Sequence, residues 1–333
     1  MRSQATALAP AIESKIRRCL PLLYAWYRKN RRPLPWRSRP TPYRTAVAEF
    51  MCQQTRVATV IPYYQRWMQT FPSWLTLARA PGSRVLRMWE GLGYYRRARF
   101  LHALAKAAIR FPRRELPGDP AALRELPGIG DYTAGAIASI AFGKPAPAFD
   151  GNVARVLGRL TARRGKTPTV ATLRALTGRL VPCKNPGLHN QALMELGALV
   201  CLPRKPRCAS CPLRRSCPSQ TNPPSPSPRR TPLERLSEYI LFPSKSGKVW
   251  LTQTHPQGRW GGLFFLPVVP GKPAGKPCMK VTYPFTRYLV QAAVFTSSRP
   301  PPGIAGKWMK PAELRRVTMP APHRKILSKL GIG

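Results

Sequence analysis

Apolar residues recur at helical spacing from the start of the chain. Ile12, Ile16, Leu20, Leu23 and Tyr27 share one face of a helix over 11–29. The prolines of PLPWRSRP (33–40) mark an extended loop. Thr41-Pro42 then reads as an N-cap followed by proline at the first helical position, opening a helix over 42–52 with Tyr43, Ala46, Val47, Phe50 and Met51 on one face. Further helices are predicted at 56–70, 73–79, 83–89 and 95–111. Asp119-Pro120 repeats the cap signal and starts a helix that ends at Leu126-Pro127. Segments 132–142, 151–162, 168–180 and 188–201 complete an all-helical first part, 1–217. A Pro/Ser-rich linker, 218–235, follows. The texture then changes. Tyr239-Ile240-Leu241-Phe242, Val249-Trp250-Leu251 and Leu263-Phe264-Phe265-Leu266 are short strand-like runs, and 310–331 reads as two helical pieces. The fold class is mainly α, with a small α+β domain at 236–333.

Charge narrows the partners. The 333 residues hold 56 Lys and Arg against 12 Asp and Glu, a net charge of +44. Such a field holds a protein on a polyanion, nucleic acid first and an anionic membrane surface second. No run of about 18 apolar residues marks a spanning helix, and the N-terminus lacks a secretory pattern. We therefore expect a cytoplasmic protein with no membrane partner. With twelve acids, a catalyst that needs carboxylates has few to choose from.

Leu126-Pro-Gly-Ile-Gly130 lies between two predicted helices, the pair spanning about 119–142. Gly128 and Gly130 permit a tight turn, and the following helix start offers free N–H groups to a phosphate. Taken alone, the turn also fits an ordinary helix connection. The cysteines Cys201-x6-Cys208-x2-Cys211-x5-Cys217 cluster in a loop, 201–217, and suit a metal site better than a disulfide framework. Chemistry alone leaves zinc and iron–sulfur open. Catalysis by a pair of carboxyls needs one kept protonated and one kept ionised. Glu49, in an apolar helix, fits the first role, because burial raises a carboxyl's pKa. Asp150, before Gly-Asn-Val at a helix start, fits the second, because a cap aspartate receives N–H bonds.

LPGIGDYTAGAIASIAFG (126–143), with LPWR (34–37), AEFMCQQTRVATVIPYY (48–64), GLGYYRRARFLH (91–102), FDGNVARVLGR (149–159) and NQALMELGALVC (190–201), resembles the helix–hairpin–helix DNA glycosylases, in their MutY-type adenine DNA glycosylase branch. The resemblance implies base excision repair: removal of adenine mispaired with 8-oxoguanine or guanine in double-stranded DNA, by a monomer. It implies that Glu49 protonates adenine at N7, that Asp150 stabilises the sugar's oxocarbenium with support from Asn152, and that Tyr132 lies beside Asp150. Glu195 would contact the flipped adenine. Arg97 matches the pocket arginine. Gln53, Gln54 and Tyr94 would fill the gap and wedge beside the opposite base, and Trp36, Gly128 and Gly130 belong to the DNA-contacting set. The cysteine spacing is that of a [4Fe-4S] loop, with Arg204, Lys205 and Arg207 held toward phosphate. Lyase relatives carry lysine where this chain has Tyr132, which cannot form a Schiff base, so a monofunctional enzyme is expected.

Trp260-Gly-Gly-Leu-Phe-Phe-Leu-Pro267 and Pro320–Leu327 resemble the family's Nudix-like domain. No acid lies between Tyr239 and Ala312, which argues against magnesium-dependent nucleotide hydrolysis there. The family's Phe-Ser-His turn, which reads 8-oxoguanine, corresponds to Phe285-Thr286-Arg287. The rival readings are an endonuclease III-like pyrimidine glycosylase/lyase and a non-catalytic iron–sulfur DNA-binding protein.

Overall fold

The computed structural model describes residues 10–163, 166–220, 233–254 and 258–332; the core of the expected linker, 221–232, lies outside them. Helices α1 (Pro10–Asn30), α2 (Pro42–Cys52), α3 (Val57–Thr70), α4 (Trp74–Arg79), α5 (Gly82–Trp89) and α6 (Arg96–Ala108) come first. They are followed by α7 (Pro120–Arg124), α8 (Asp131–Ala141), α9 (Gly151–Leu160), α10 (Val170–Leu180) and α11 (Pro186–Leu199). Strands β1 (Glu234–Lys245), β2 (Lys248–Gln253), β3 (Phe264–Phe265), β4 (Val268–Val269), β5 (Met279–Phe285), β6 (Tyr288–Ser297) and β7 (Gly306–Met309) precede α12 (Pro311–Leu314) and α13 (Ala321–Lys329). The chain divides into two units, Met1–Arg79 with Phe100–Ser227, and Ala80–Arg99 with Pro228–Gly333.

The first unit is helical, and its starts are where the caps are. Thr41 Oγ1 accepts from Arg44 N at 3.2 Å, Asp119 Oδ2 from Ala122 N at 2.8 Å and Asp150 Oδ1 from Val153 N at 2.7 Å. The apolar face of α1, with Ile16, Leu20, Leu23 and Tyr27, joins a core with Val156 and Leu157 of α9, Leu176 of α10 and Leu193 of α11. Burial of a side chain such as Leu23 stabilises the fold by about 1.5–3 kcal/mol. Helices α9 and α11 approach closely at Gly197, where a Cβ would stand 2.6 Å from that of Asn152. This approach seats the start of α9.

Between α7 and α8 the backbone turns at Gly128 (φ 75°). A Cβ there would lie 2.5 Å from Phe100 Cβ, so both the dihedral and the space demand glycine. Gly130 is the N-cap of α8 and provides no capping side chain, and a Cβ on it would meet nothing within 4 Å. The first N–H groups of α8 therefore stand at an open helix start, suited to a phosphate.

The second unit is built on a sheet of order β3-β2-β1-β6-β5, with β4 on β1 and β7 on β2. β1 and β6 run parallel from Glu234↔Tyr288 to Pro243↔Ser297. β5 and β6 form an antiparallel hairpin closing at Phe285↔Tyr288. Ile240, Val249, Leu251, Val290, Val294, Ile326 and Leu327 fill its core.

Four expectations are corrected. The extended loop 33–40 contains one 3-10 turn, Pro35–Arg37, since proline fits the first position of such a turn. α7 stops at Arg124, short of Leu126-Pro127. Strands β4–β7 carry no strand prediction above; β5 is broken up by Lys280 and Pro284, and β6 is apolar without a clean alternation. The first unit is also not contiguous, because Ala80–Arg99 groups with the C-terminal residues. Glu90 accepts from Arg87 at 2.5 Å and from Arg324 at 3.0 Å, and Tyr95 donates to Met319 O at 3.3 Å.

Candidate active site

A cavity of about 730 Å³ in the first unit is lined by Glu49, Tyr132, Asp150, Asn152 and Glu195, together with Trp36, Gln53 and Gln54. Glu49 lies on α2 between the buried Ala48 and Phe50. Burial raises its carboxyl pKa, the Tyr132 hydrogen bond draws it back, and the nearby charge of Asp150 adds to the rise; the result is about 7. Tyr132, one residue into α8, donates to Glu49 Oε2 at 2.7 Å and sits 3.3 Å from Met194 Sδ. Burial foremost, then the Glu49 charge, pushes the phenol well above its ordinary range, so it remains a donor. The cavity thus holds a carboxyl that is still partly protonated at neutral pH.

Asp150 is fixed from two sides. Its Oδ1 takes the Val153 N–H and its Oδ2 the Asn152 Nδ2–H at 2.8 Å. Asn152 is held in turn by Arg155, whose Nη2 donates to Asn152 Oδ1 at 2.7 Å and to Gly197 O at 2.8 Å. Arg155 Nε donates to Cys201 O at 2.7 Å, so one guanidinium ties the cap of α9 to the end of α11.

Glu195 lines the same cavity but is 1% exposed, and both its oxygens are taken. Oε1 accepts from Arg32 N, Arg32 Nε and Arg37 Nη1 at 2.8–3.0 Å, and Oε2 accepts from Arg32 Nη2 and Arg37 Nη2 at 2.7 and 2.9 Å. Burial alone would raise its pKa, but the bonds from Arg32 and Arg37 outweigh it and bring the carboxyl down to about 2. Glu195 thus lines the cavity and anchors two cations, Arg32 and Arg37, that line it too. Sequence reasoning missed Arg32, Arg37 and Arg155. Arg37 falls within LPWR, but nothing marks Arg32 in a run of basic residues.

Trp36 packs edge-on against Tyr64 with centroids 5.2 Å apart. Gln53 and Gln54 follow α2 directly, Gln54 in the left-handed region (φ 57°). Arg97 is not among the residues lining this cavity. It belongs to the second unit, buried between Trp89 and Tyr94 (5.4 and 5.5 Å) and donating to Leu92 O and Gly93 O at 3.1 Å. The guanidinium holds the turn that leads into Tyr94, which is 53% exposed with φ 47°.

Tyr94, Phe285 and Thr286 line a second cavity, within the second unit. Arg287 does not line it. Arg287 is exposed, donates to Tyr288 Oη at 2.7 Å and pairs with Glu234 at 3.5 Å.

Cys201, Cys208, Cys211 and Cys217 line one small cavity with Arg159. Arg159 Nη1 donates to Cys201 Sγ at 3.3 Å and to Leu202 O at 2.7 Å, and its Nη2 donates to Pro203 O at 2.8 Å. Among the described residues, no three His, Cys, Asp or Glu side chains gather tightly enough for a single ion. No helix among the described residues is long and apolar enough to cross a membrane.

Residues 47–182 match the HhH-GPD superfamily of base excision DNA repair proteins. The chain is 44% identical over 207 residues to the adenine DNA glycosylase of Homo sapiens, a match covering 59% of this chain and 38% of that protein. It is 33% identical over 255 residues to the adenine DNA glycosylase of Buchnera aphidicola subsp. Acyrthosiphon pisum, covering 74% and 73%. The match to the Arabidopsis thaliana enzyme spans 35% of that relative's length. Among solved structures, a thermostable thymine-DNA glycosylase superposes with TM-score 0.58 at 27% identity, over 63% of this chain and 98% of that one. A non-covalent endonuclease III–DNA complex gives 0.53 at 25%, over 62% and 96%. With the hairpin, the two-carboxylate cavity and these matches in hand, the chain belongs to the adenine DNA glycosylase family of helix–hairpin–helix base excision repair proteins.

Proposed function

We propose that the protein is a monofunctional adenine DNA glycosylase that hydrolyses the N-glycosidic bond of adenine opposite 8-oxoguanine or guanine in double-stranded DNA, acting as a cytoplasmic monomer. The observation that carries this reading is the Glu49–Tyr132 pair in one cavity with Asp150. Tyr132 occupies Glu49 Oε2, which leaves Oε1 to carry the transferable proton. Glu49 gives that proton to a ring nitrogen of the flipped adenine as the C1′–N9 bond breaks. The Asp150 carboxylate, held by two N–H donors, stabilises the positive charge left on the sugar. A water then adds to C1′ and returns a proton to Glu49. The cations Arg32 and Arg37, locked on Glu195, line the cavity without competing for the proton. The basic surface and the open start of α8 hold the phosphate backbone without reading sequence.

The test is a glycosylase assay on duplexes carrying adenine opposite 8-oxoguanine, adenine opposite guanine, and thymine glycol, with and without alkali. Adenine release with strand breaks only after alkali is expected. Thymine glycol cleavage without alkali favours the lyase, and no release from any duplex favours a DNA-binding role.

The four cysteines are proposed to hold a [4Fe-4S] cluster. Four soft donors around one cavity fit it, and a cluster whose thiolates bind different irons does not need the tight set a single ion requires. When bound, the cluster supplies a rigid brace for the loop. Arg204, Lys205 and Arg207 lie on that loop, and Arg155 and Arg159 join it to α9. Purified anaerobically, the protein should contain about four irons per chain. Cys201→Ser should lose iron and DNA affinity together, because the cations of the loop lose their scaffold. Zinc in place of iron overturns the assignment.

A further inference from the structure

Eight non-glycine residues among those described have a left-handed backbone, and three of them line the second-unit cavity of about 520 Å³: Tyr94 (φ 47°), Trp260 (φ 54°) and Thr286 (φ 51°). Bulky and β-branched residues keep such a backbone only where the surroundings hold it. Arg259 sits where that hold is needed. Its guanidinium lies 4.1 Å from the Trp260 ring centroid and 4.2 Å from that of Phe285, and so touches residues at two of these turns. Arg259 Nη1 pairs with the buried Glu238, whose Oε2 accepts from Tyr283 Oη at 3.0 Å. Arg287, the charged residue of the turn itself, is engaged elsewhere by Tyr288 and Glu234.

We propose that Arg259 is a positioning residue for the 285–287 turn. By stacking on Trp260 and Phe285 from a fixed anchor on Glu238, it holds the turn that follows Phe285 in one conformation and so sets discrimination between 8-oxoguanine and guanine. The proposal rests on the glycosylase reading above. Two bases that differ by a few atoms are told apart only by groups held within about 0.5 Å. A loosened turn therefore loses discrimination while the chemistry at Glu49 and Asp150 is untouched. A planar guanidinium can stack on rings and bind a carboxylate at once, whereas lysine keeps the charge but cannot stack in the same way.

The experiment compares wild type, Arg259→Leu and Arg259→Lys in single-turnover excision of adenine opposite 8-oxoguanine and opposite guanine, at physiological salt, with thermal melting as the check on folding. Arg259→Leu should lower the rate ratio between the two duplexes about tenfold and leave the guanine duplex within about twofold. Arg259→Lys should move the ratio in the same direction by about threefold, and it decides the matter if the leucine variant does not fold. An unchanged ratio, or equal losses on both duplexes, overturns the proposal and makes Arg259 a packing residue. Wild type that releases adenine from neither duplex overturns the glycosylase reading, and the proposal with it, before any substitution is made.

Discussion

Glu49→Gln binds duplex DNA with adenine opposite 8-oxoguanine and leaves the adenine in place, its single-turnover rate reduced by about 10³-fold. Glutamine has nearly the same shape and can still accept from Tyr132 Oη, so the cavity persists. What it lacks is a proton to give. The pH profile of wild type carries the same information. With the Glu49 pKa at about 7, the rate should be flat in mild acid and fall about tenfold per pH unit above neutrality. Tyr132→Phe removes a bond that lowers this pKa, so its alkaline limb should move to higher pH. Excision by Glu49→Gln within tenfold of wild type, measured by product release after alkali, would remove Glu49 from the mechanism.

Asp150→Asn should keep the fold and lose about 10²–10³-fold in excision. Asparagine caps a helix as well as aspartate, so its side-chain oxygen can still accept from Val153 N and α9 should start where it does now. The substitution removes the negative charge that the oxocarbenium requires. It also removes one of the influences that raise the Glu49 pKa, so the residual activity should decline at a lower pH than in wild type. Wild-type melting with a collapsed rate confirms an electrostatic role. A normal rate would make Asp150 a cap and nothing more.

Most of the helical frame was legible because its signals are local. Thr41, Asp119 and Asp150 announce their helices by the side-chain bond each makes three residues ahead, and the apolar face of α1 repeats every turn. Strands β5 and β6 were not legible, because their pairing to each other and to β1 is a long-range fact that Lys280 and Pro284 obscure. At the site, Glu49, Tyr132 and Asp150 could be named from motif and chemistry. Glu195 could be named but not understood: its arginine partners lie more than 150 residues away in sequence. The partners of Arg97 and Arg287 were not legible for the same reason, since which carbonyl or carboxylate captures a long cationic side chain is settled only by packing.

The unpaired burial of Glu49 has a consequence for the folded protein's robustness. Glu13, Glu90, Asp131, Glu195, Glu234 and Glu238 each pair with an arginine, whereas the neighbour bonded to Glu49 is a phenol. Folding raises this carboxyl from 4.5 to about 7, so the native state is favoured by protonation. That contribution is complete in acid below the ordinary carboxylate range, erodes as pH rises, and is gone once pH passes about 7. At about 1.4 kcal/mol per tenfold, an ionised Glu49 costs the native state on the order of 2–3 kcal/mol in mild alkali. Glutamine carries no such penalty, so Glu49→Gln should melt higher than wild type at pH 8 and nearly level with it at pH 5. The inert protein is then the hardier one, and the proton donor is retained at the expense of thermal endurance.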